Sequence, residues 1–172
     1  ASMSSEANRK YLVNSVRILS GNDSQFISYN DDSNENASTK ESDAIADIEE
    51  KLDVKMPEFY YRPYGMEFSK YIINPAADIA RIKYLYEEGN IYFYIDKQQT
   101  KKASNISSLN GNEKVIDTIS VDNIEVLLKE MDDSQDEKMT YIADWKYDDV
   151  VYHIVGKLEL KELKKIIKEL KF

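Results

Sequence analysis

From Met66 onward the chain alternates side chains with a period of two, the signature of strands rather than helices. Met66, Phe68, Lys70 and Ile72 fall on one side of such a strand and Glu67, Ser69, Tyr71 and Ile73 on the other. The run ARIKYLYEEGNIYFYID, starting at Ala80, reads as a hairpin with Glu87-Glu88-Gly89-Asn90 as its loop. In its second arm Ile91, Phe93 and Ile95 point one way and Tyr92 and Tyr94 the other. Neither side is properly polar, which predicts a central strand or a sheet covered on both faces. KVIDTISV and IEVLLKEM follow as strands joined at Asp122-Asn123. TYIADW and DVVYHIVG form a last hairpin across Lys146-Tyr147-Asp148-Asp149.

The period changes in two places. Ala44, Ile45, Ile48 and Leu52 share one face of a helix that Ser42 or Asp43 can cap. After Gly156, the residues Leu160, Leu163, Ile166, Ile167 and Leu170 form the stripe of a closing amphipathic helix. Lysines at 161, 164, 165, 168 and 171 occupy its opposite side and, near its end, suit the helix dipole. Between the first helix and the strands, Pro57 is a stop, and Pro63-Tyr64-Gly65 is a turn in which Gly65 supplies positive φ. Upstream, KYLVNSVRIL and QFISYN are candidate strands of a hairpin across Ser20–Ser24, and Asn30–Ser42 is polar throughout and reads as a linker. The expected fold is α+β: an antiparallel sheet of about six strands packed by a short N-terminal helix and the closing helix. The expected division is an N-terminal extension over 1–42 and the α+β domain over 43–172.

Composition narrows the function classes. The chain has 172 residues, 42% of them apolar, enough for one real core. Nowhere does an apolar run approach the ~20 residues needed to cross a bilayer as a helix. The net charge of -9 repels phosphate backbones and argues against nucleic acid as a partner. With no Cys, disulfides, thiolate nucleophiles and thiolate metal sites are absent. The Ala-Ser-Met start lacks a signal core, and the chain reads as a piece of something longer.

Candidate chemistry is sparse. His153, the only histidine, lies on a predicted strand between Tyr152 and Ile154. No Gly-x-Ser-x-Gly elbow supplies a nucleophile for it and no second His completes a zinc site, so a packed or solvated side chain is the preferred reading. Asp132, Asp133, Asp136 and Glu137, like Asp31, Asp32 and Glu35, lack the Gly and the closing Glu of a calcium loop and read as solvated loop charge. The thirteen tyrosines are the least ordinary feature. Tyr60, Tyr61, Tyr64, Tyr84, Tyr92 and Tyr94 are the candidate binding residues, as an aromatic face that stacks on a sugar, glycan or peptide. No catalytic residue, metal ligand or cofactor is expected.

The entry MPEFYYRPYGMEF, the hairpin IARIKYLYEEGNIYFYI and the closing YIADWKYDDVVYHIVGKLELKELKKIIKEL together resemble a bacterial family, the domain of unknown function numbered 4367. The resemblance covers roughly Met56 to Leu170, with Pro57, Pro63, Gly65, Trp145, Tyr152 and Gly156 where the family pattern places such residues. It implies an extracytoplasmic domain of a membrane-anchored Firmicutes protein, often beside anti-sigma-like segments, and brings no activity. The expectation is therefore a non-catalytic binding or sensing domain. Its partner is a protein, peptide or envelope ligand, not nucleic acid, and it meets the membrane only through a segment absent from this chain. The alternative is a small acidic cytosolic protein of the immunity type, whose charge speeds association with a basic partner. A hydrolase using His153 with a nearby carboxylate is the third reading.

Overall fold

The structure is a computed structural model that describes residues 40–97, 113–132 and 137–172. The expected N-terminal hairpin and nearly all of the linker lie outside the described residues, as do Asp133 and Asp136. In chain order the elements are α1 (Glu41–Leu52), β1 (Glu58–Phe59), β2 (Glu67–Asn74), β3 (Ile79–Tyr86), β4 (Gly89–Asp96) and β5 (Glu113–Val121). They continue with β6 (Ile124–Met131), β7 (Thr140–Tyr147), β8 (Val150–Gly156), α2 (Leu160–Lys168) and β9 (Leu170–Lys171).

Seven of the strands form one sheet in the order β2-β3-β4-β8-β7-β6-β5, every neighbour antiparallel. It consists of two meanders, β2–β4 and β5–β8, joined where β4 pairs with β8. The α+β class is as expected, but the sheet is one strand wider than the about six expected, because every alternating run becomes a strand. Asp122 and Asn123 (φ 45° and 67°) and Asp148 and Asp149 (φ 50° and 61°) each put two left-handed residues into a two-residue turn. Such turns match the twist of the strands they join, and short Asx side chains tolerate that backbone. A second, minimal sheet pairs β1 with β9, the first and last of the described strands.

The sheet buries both faces. On one, Ala80, Ile82, Ile91, Phe93, Ile95, Val126, Leu128, Trp145, Tyr152 and Ile154 form the main core with α1 and α2. Phe93, Trp145 and Tyr152 stack at 5.6–6.0 Å between centroids, the aromatic centre of that core. The helix α1 presents Ala44, Ile48 and Leu52, and α2 presents Leu163, Ile166 and Ile167. Each fully buried aliphatic side chain of this kind contributes about 1.5–3 kcal/mol. No side chain caps α1: it begins at Glu41, one or two residues before the expected caps Ser42 and Asp43. Glu41 is held by Arg62 and Tyr84, so tertiary contacts carry the helix past them. On the other face Ile72, Ile79, Tyr92, Tyr94, Ile142 and Val155 are equally buried.

Candidate functional site

The helix layer is not a continuous wall. Its middle is the β1–β9 ribbon, with Phe59 packed edge-on against Phe93 of β4 at 5.3 Å. The helix α1 lies to one side, over β2 and β3, and α2 to the other, over β5 and β7. Between α1 and β1 is a cleft of ≈ 400 Å³ whose lining includes Ser42, Ile45, Ala46, Glu49, Met56 and Phe59.

The chain then turns out of β1 into solvent. Tyr60 N–H donates to the Glu169 carbonyl (3.2 Å), continuing the ribbon by one residue. Pro63 and Met66 close a turn (Met66 N–H to Pro63 C=O, 3.1 Å), and Gly65 at φ 86° takes the left-handed position that favours glycine. Two ties pin this segment. Tyr61 O–H donates to Glu162 of α2, with the Lys165 ammonium 5.2 Å from the Tyr61 ring centroid. Arg62 clasps Glu41 of α1 through both guanidinium nitrogens, and Tyr84 O–H donates to the same carboxylate at 2.6 Å. The hydrogen bond to Glu162 raises the Tyr61 phenol above its ordinary range. The result is a fixed platform on which Tyr60 is 66% exposed and Tyr64 wholly so.

The six tyrosines expected as one aromatic face do not share a surface. Tyr84 faces the helix side and is buried in the main core; Tyr92 and Tyr94 lie buried on the opposite face of the sheet. Tyr84, Tyr92 and Tyr94 therefore correct the expectation of an open tyrosine face: strand parity separates them, and both faces are covered. Tyr60, Tyr61 and Tyr64 lie in one short segment, Tyr60 and Tyr64 exposed and Tyr61 half-buried against α2.

His153 is packed rather than solvated, 1% exposed, on the same face as Tyr92 and Tyr94. Register places Arg81, Tyr94, His153 and Asp144 in one row across β3, β4, β8 and β7. His153 Nδ1 lies 2.7 Å from Asp144 Oδ1, and Lys129 Nζ of β6 forms an ion pair with Oδ2 at 2.9 Å. Glu113 approaches the same ammonium at 3.7 Å. Arg81 lies 4.9 Å from the Tyr92 ring centroid. Burial alone pushes the Asp144 carboxyl up, but His153 and Lys129 outweigh it, and the net shift is downward. For Glu113 burial wins over Lys129 and the carboxyl is raised. His153 Nε2 is buried with no hydrogen bond among the described residues. Among the described residues no cluster of His, Asp or Glu is disposed to hold a metal ion. Sequence reading missed Asp144, Lys129 and Glu113; the available signal was charge at positions of two-faced apolar strands.

What the geometry defines is an α+β domain with an ionic row sealed inside one face of its sheet and a pinned aromatic turn beside an open cleft on the other. The chain belongs to the family described as a domain of unknown function (DUF4367), whose model matches residues 56–170. No curated protein and no solved structure matches the chain. The matched span opens at Met56, on the wall of the cleft, and runs into β9. No helix among the described residues is long and apolar enough to cross a membrane.

Proposed function

We propose that this chain is a non-catalytic binding or sensing domain, on the outer side of the membrane in a membrane-anchored bacterial protein, that makes contact through its Tyr60–Met66 turn. The observation that supports this reading is the pair Tyr60 and Tyr64, exposed on a turn tied to both helices. Rigid aromatic side chains bind with little further loss of conformational entropy, which is why Tyr is frequent among the residues that carry interface energy. The ionic row supports binding over hydrolysis, because His153 is sealed and meets no nucleophile among the described residues.

The test is a binding measurement of the purified chain against fractionated cell-envelope material, beside the double variant Tyr60→Ser, Tyr64→Ser. Binding is expected to weaken at least about tenfold in the variant, the change that loss of about 1.4 kcal/mol produces. Equal binding by the variant, or none by the parent chain, would sink the reading. Protease accessibility of the full-length protein on intact cells checks the location separately. Partner capture that collapses at high salt and ignores both tyrosines would instead favour the acidic cytosolic alternative.

A further inference from the structure

The cleft between α1 and β1 has the build of a slot for one more strand. β1 has a strand on one side only, among the described residues, and the other side faces α1. The bond from Tyr60 N–H to the Glu169 carbonyl makes Phe59↔Leu170 the non-hydrogen-bonded kind of antiparallel pair. Phe59 therefore turns its own N–H and C=O away from β9 and toward the cleft that it lines. An exposed strand edge with one residue's donor and acceptor so aimed is a place where an extended chain adds by main-chain pairing.

The slot has defined ends. At one, Arg62 bridges to Glu41; at the other, Met56 N–H donates to Glu49 Oε1 at 3.0 Å. Eight residues of helix separate Glu41 from Glu49, roughly 12 Å at the α-helical rise, which spans three to four residues of extended chain. The floor between is Ile45, Ala46 and Met56, suited to small apolar side chains. Charge is unequal along it. Arg62 is committed to Glu41, while at the Met56 end Glu49 and the exposed Glu58, whose carboxylate also accepts from the Tyr60 hydroxyl, line the same cleft.

We propose that the cleft binds an extended peptide of three to four residues, paired to Phe59 as an added strand, with small apolar side chains followed by a Lys or Arg at the Glu49–Glu58 end. This deepens the binding reading above and rests on it, adding a peptide site lined by residues of β1 and of the turn that carries the exposed tyrosines. The probe is a pool of acetylated, amidated tetrapeptides with Ala, Val or Ser at the first three positions and Lys at the fourth. It is titrated into the isotope-labelled full chain and followed by amide chemical shifts.

Saturable shifts are expected at Ile45, Ala46 and Phe59, with a Kd of about 1 mM or tighter, and the Phe59 amide should become protected from exchange. The surface variant Ala46→Trp fills the slot and should abolish them. Glu58→Lys should weaken binding by about fivefold or more, as should Glu in place of the fourth-position Lys. Main-chain N-methylation of the pool should remove binding while keeping every side chain. Absence of shifts at about 10 mM peptide, or shifts that survive Ala46→Trp, overturns the proposal. If envelope binding still depends on Tyr60 and Tyr64 while the pool leaves the cleft unmoved, the peptide slot falls and the broader reading stands. If both fail, both fall.

Discussion

Replacing Asp144 with Asn should be among the most damaging single-atom-scale changes in this sheet. The carboxylate stands between His153 at 2.7 Å and Lys129 at 2.9 Å, all three about 1% exposed. Removing it takes away the carboxylate nearest the buried Lys129 ammonium among the described residues; Glu113 is farther, at 3.7 Å, and burial already holds that carboxyl toward its neutral form. Deleting one partner of a buried ion pair costs about 3–5 kcal/mol, because the survivor's charge stays desolvated. Asn keeps the shape and one acceptor oxygen, so the lower end, about 3 kcal/mol, applies. Against a whole-domain stability of about 5–15 kcal/mol this is a large fraction. Urea unfolding followed by the fluorescence of Trp145, the sole tryptophan and buried, should show a lower midpoint at unchanged slope.

The pH dependence supplies the second arm. The Asp144 carboxyl titrates below its ordinary 3.8 in the fold, so on acidification the unfolded chain takes up the proton first. Its contribution is complete above 3.8 and is lost as pH falls through that value toward the folded one. Glu113 works in the opposite sense: its raised folded pKa adds stability below 4.5, lost as pH rises past the folded value. Asp144→Asn should flatten the acid limb as well as lower the curve. Asp117, exposed and paired with Lys164 at 3.0 Å, is the control, and Asp117→Asn should change little. If the two variants are equally stable, the buried row does not hold the sheet together and the reasoning is wrong.

Other consequences are as direct. Leu163→Ala, at a wholly buried position on α2, should cost about 2–5 kcal/mol in the same urea assay, with the spread set by how far the site collapses. Gly156→Ala places a Cβ 2.9 Å from Ile91 Cγ1 and 3.4 Å from its Cα, on the neighbouring strand. That overpacking should cost about 1–3 kcal/mol, and a neutral result in thermal melts would mean that β4 and β8 have slack. Tyr71, driven to about 12 by burial and then by its hydrogen bond to Asp47, should ionise late in an ultraviolet alkaline titration. Between 10.0 and about 12 only the unfolded chain gives up that proton, so the stability it contributes is lost over this interval, and Tyr71→Phe should remove that part of the alkaline limb.

Much of the fold was legible because strand parity is a local property. Ile91, Phe93 and Ile95 against Tyr92 and Tyr94 announced a strand buried on both sides, and β4 lies inside the sheet. Parity also carried a warning about the tyrosines. With Glu87-Glu88 as the turn Tyr84 pairs with Ile91, and with a loop extended to Asn90 it would pair with Phe93. Neither register brings it to the face of Tyr92 and Tyr94. Alternation says which residues share a side, not whether that side meets water, so covering of both faces had to come from the tertiary structure.

The two sites failed to show for different reasons. A loop over Lys146–Asp149 would pair Trp145 with Val150 and set Ile142 opposite His153. The actual two-residue turn at Asp148-Asp149 pairs Tyr147 with Val150 and brings Asp144 opposite instead. One turn thus decides whether the only histidine meets an apolar side chain or a carboxylate. Lys129 joins them from β6 across a longer connection, for which no turn rule fixes the register. The cleft lies further still from any sequence signal: β1 and β9 have two residues each, too few for a period, and meet from opposite ends of the domain. Yet it follows from their brevity. A helix covers about 10 Å of sheet and a strand about 5 Å, so α1, two strands and α2 span roughly 30 Å, against the roughly 34 Å of seven strands. The shortfall is close to one strand's width, and it falls beside the β1 edge toward which Phe59 turns its donor and acceptor.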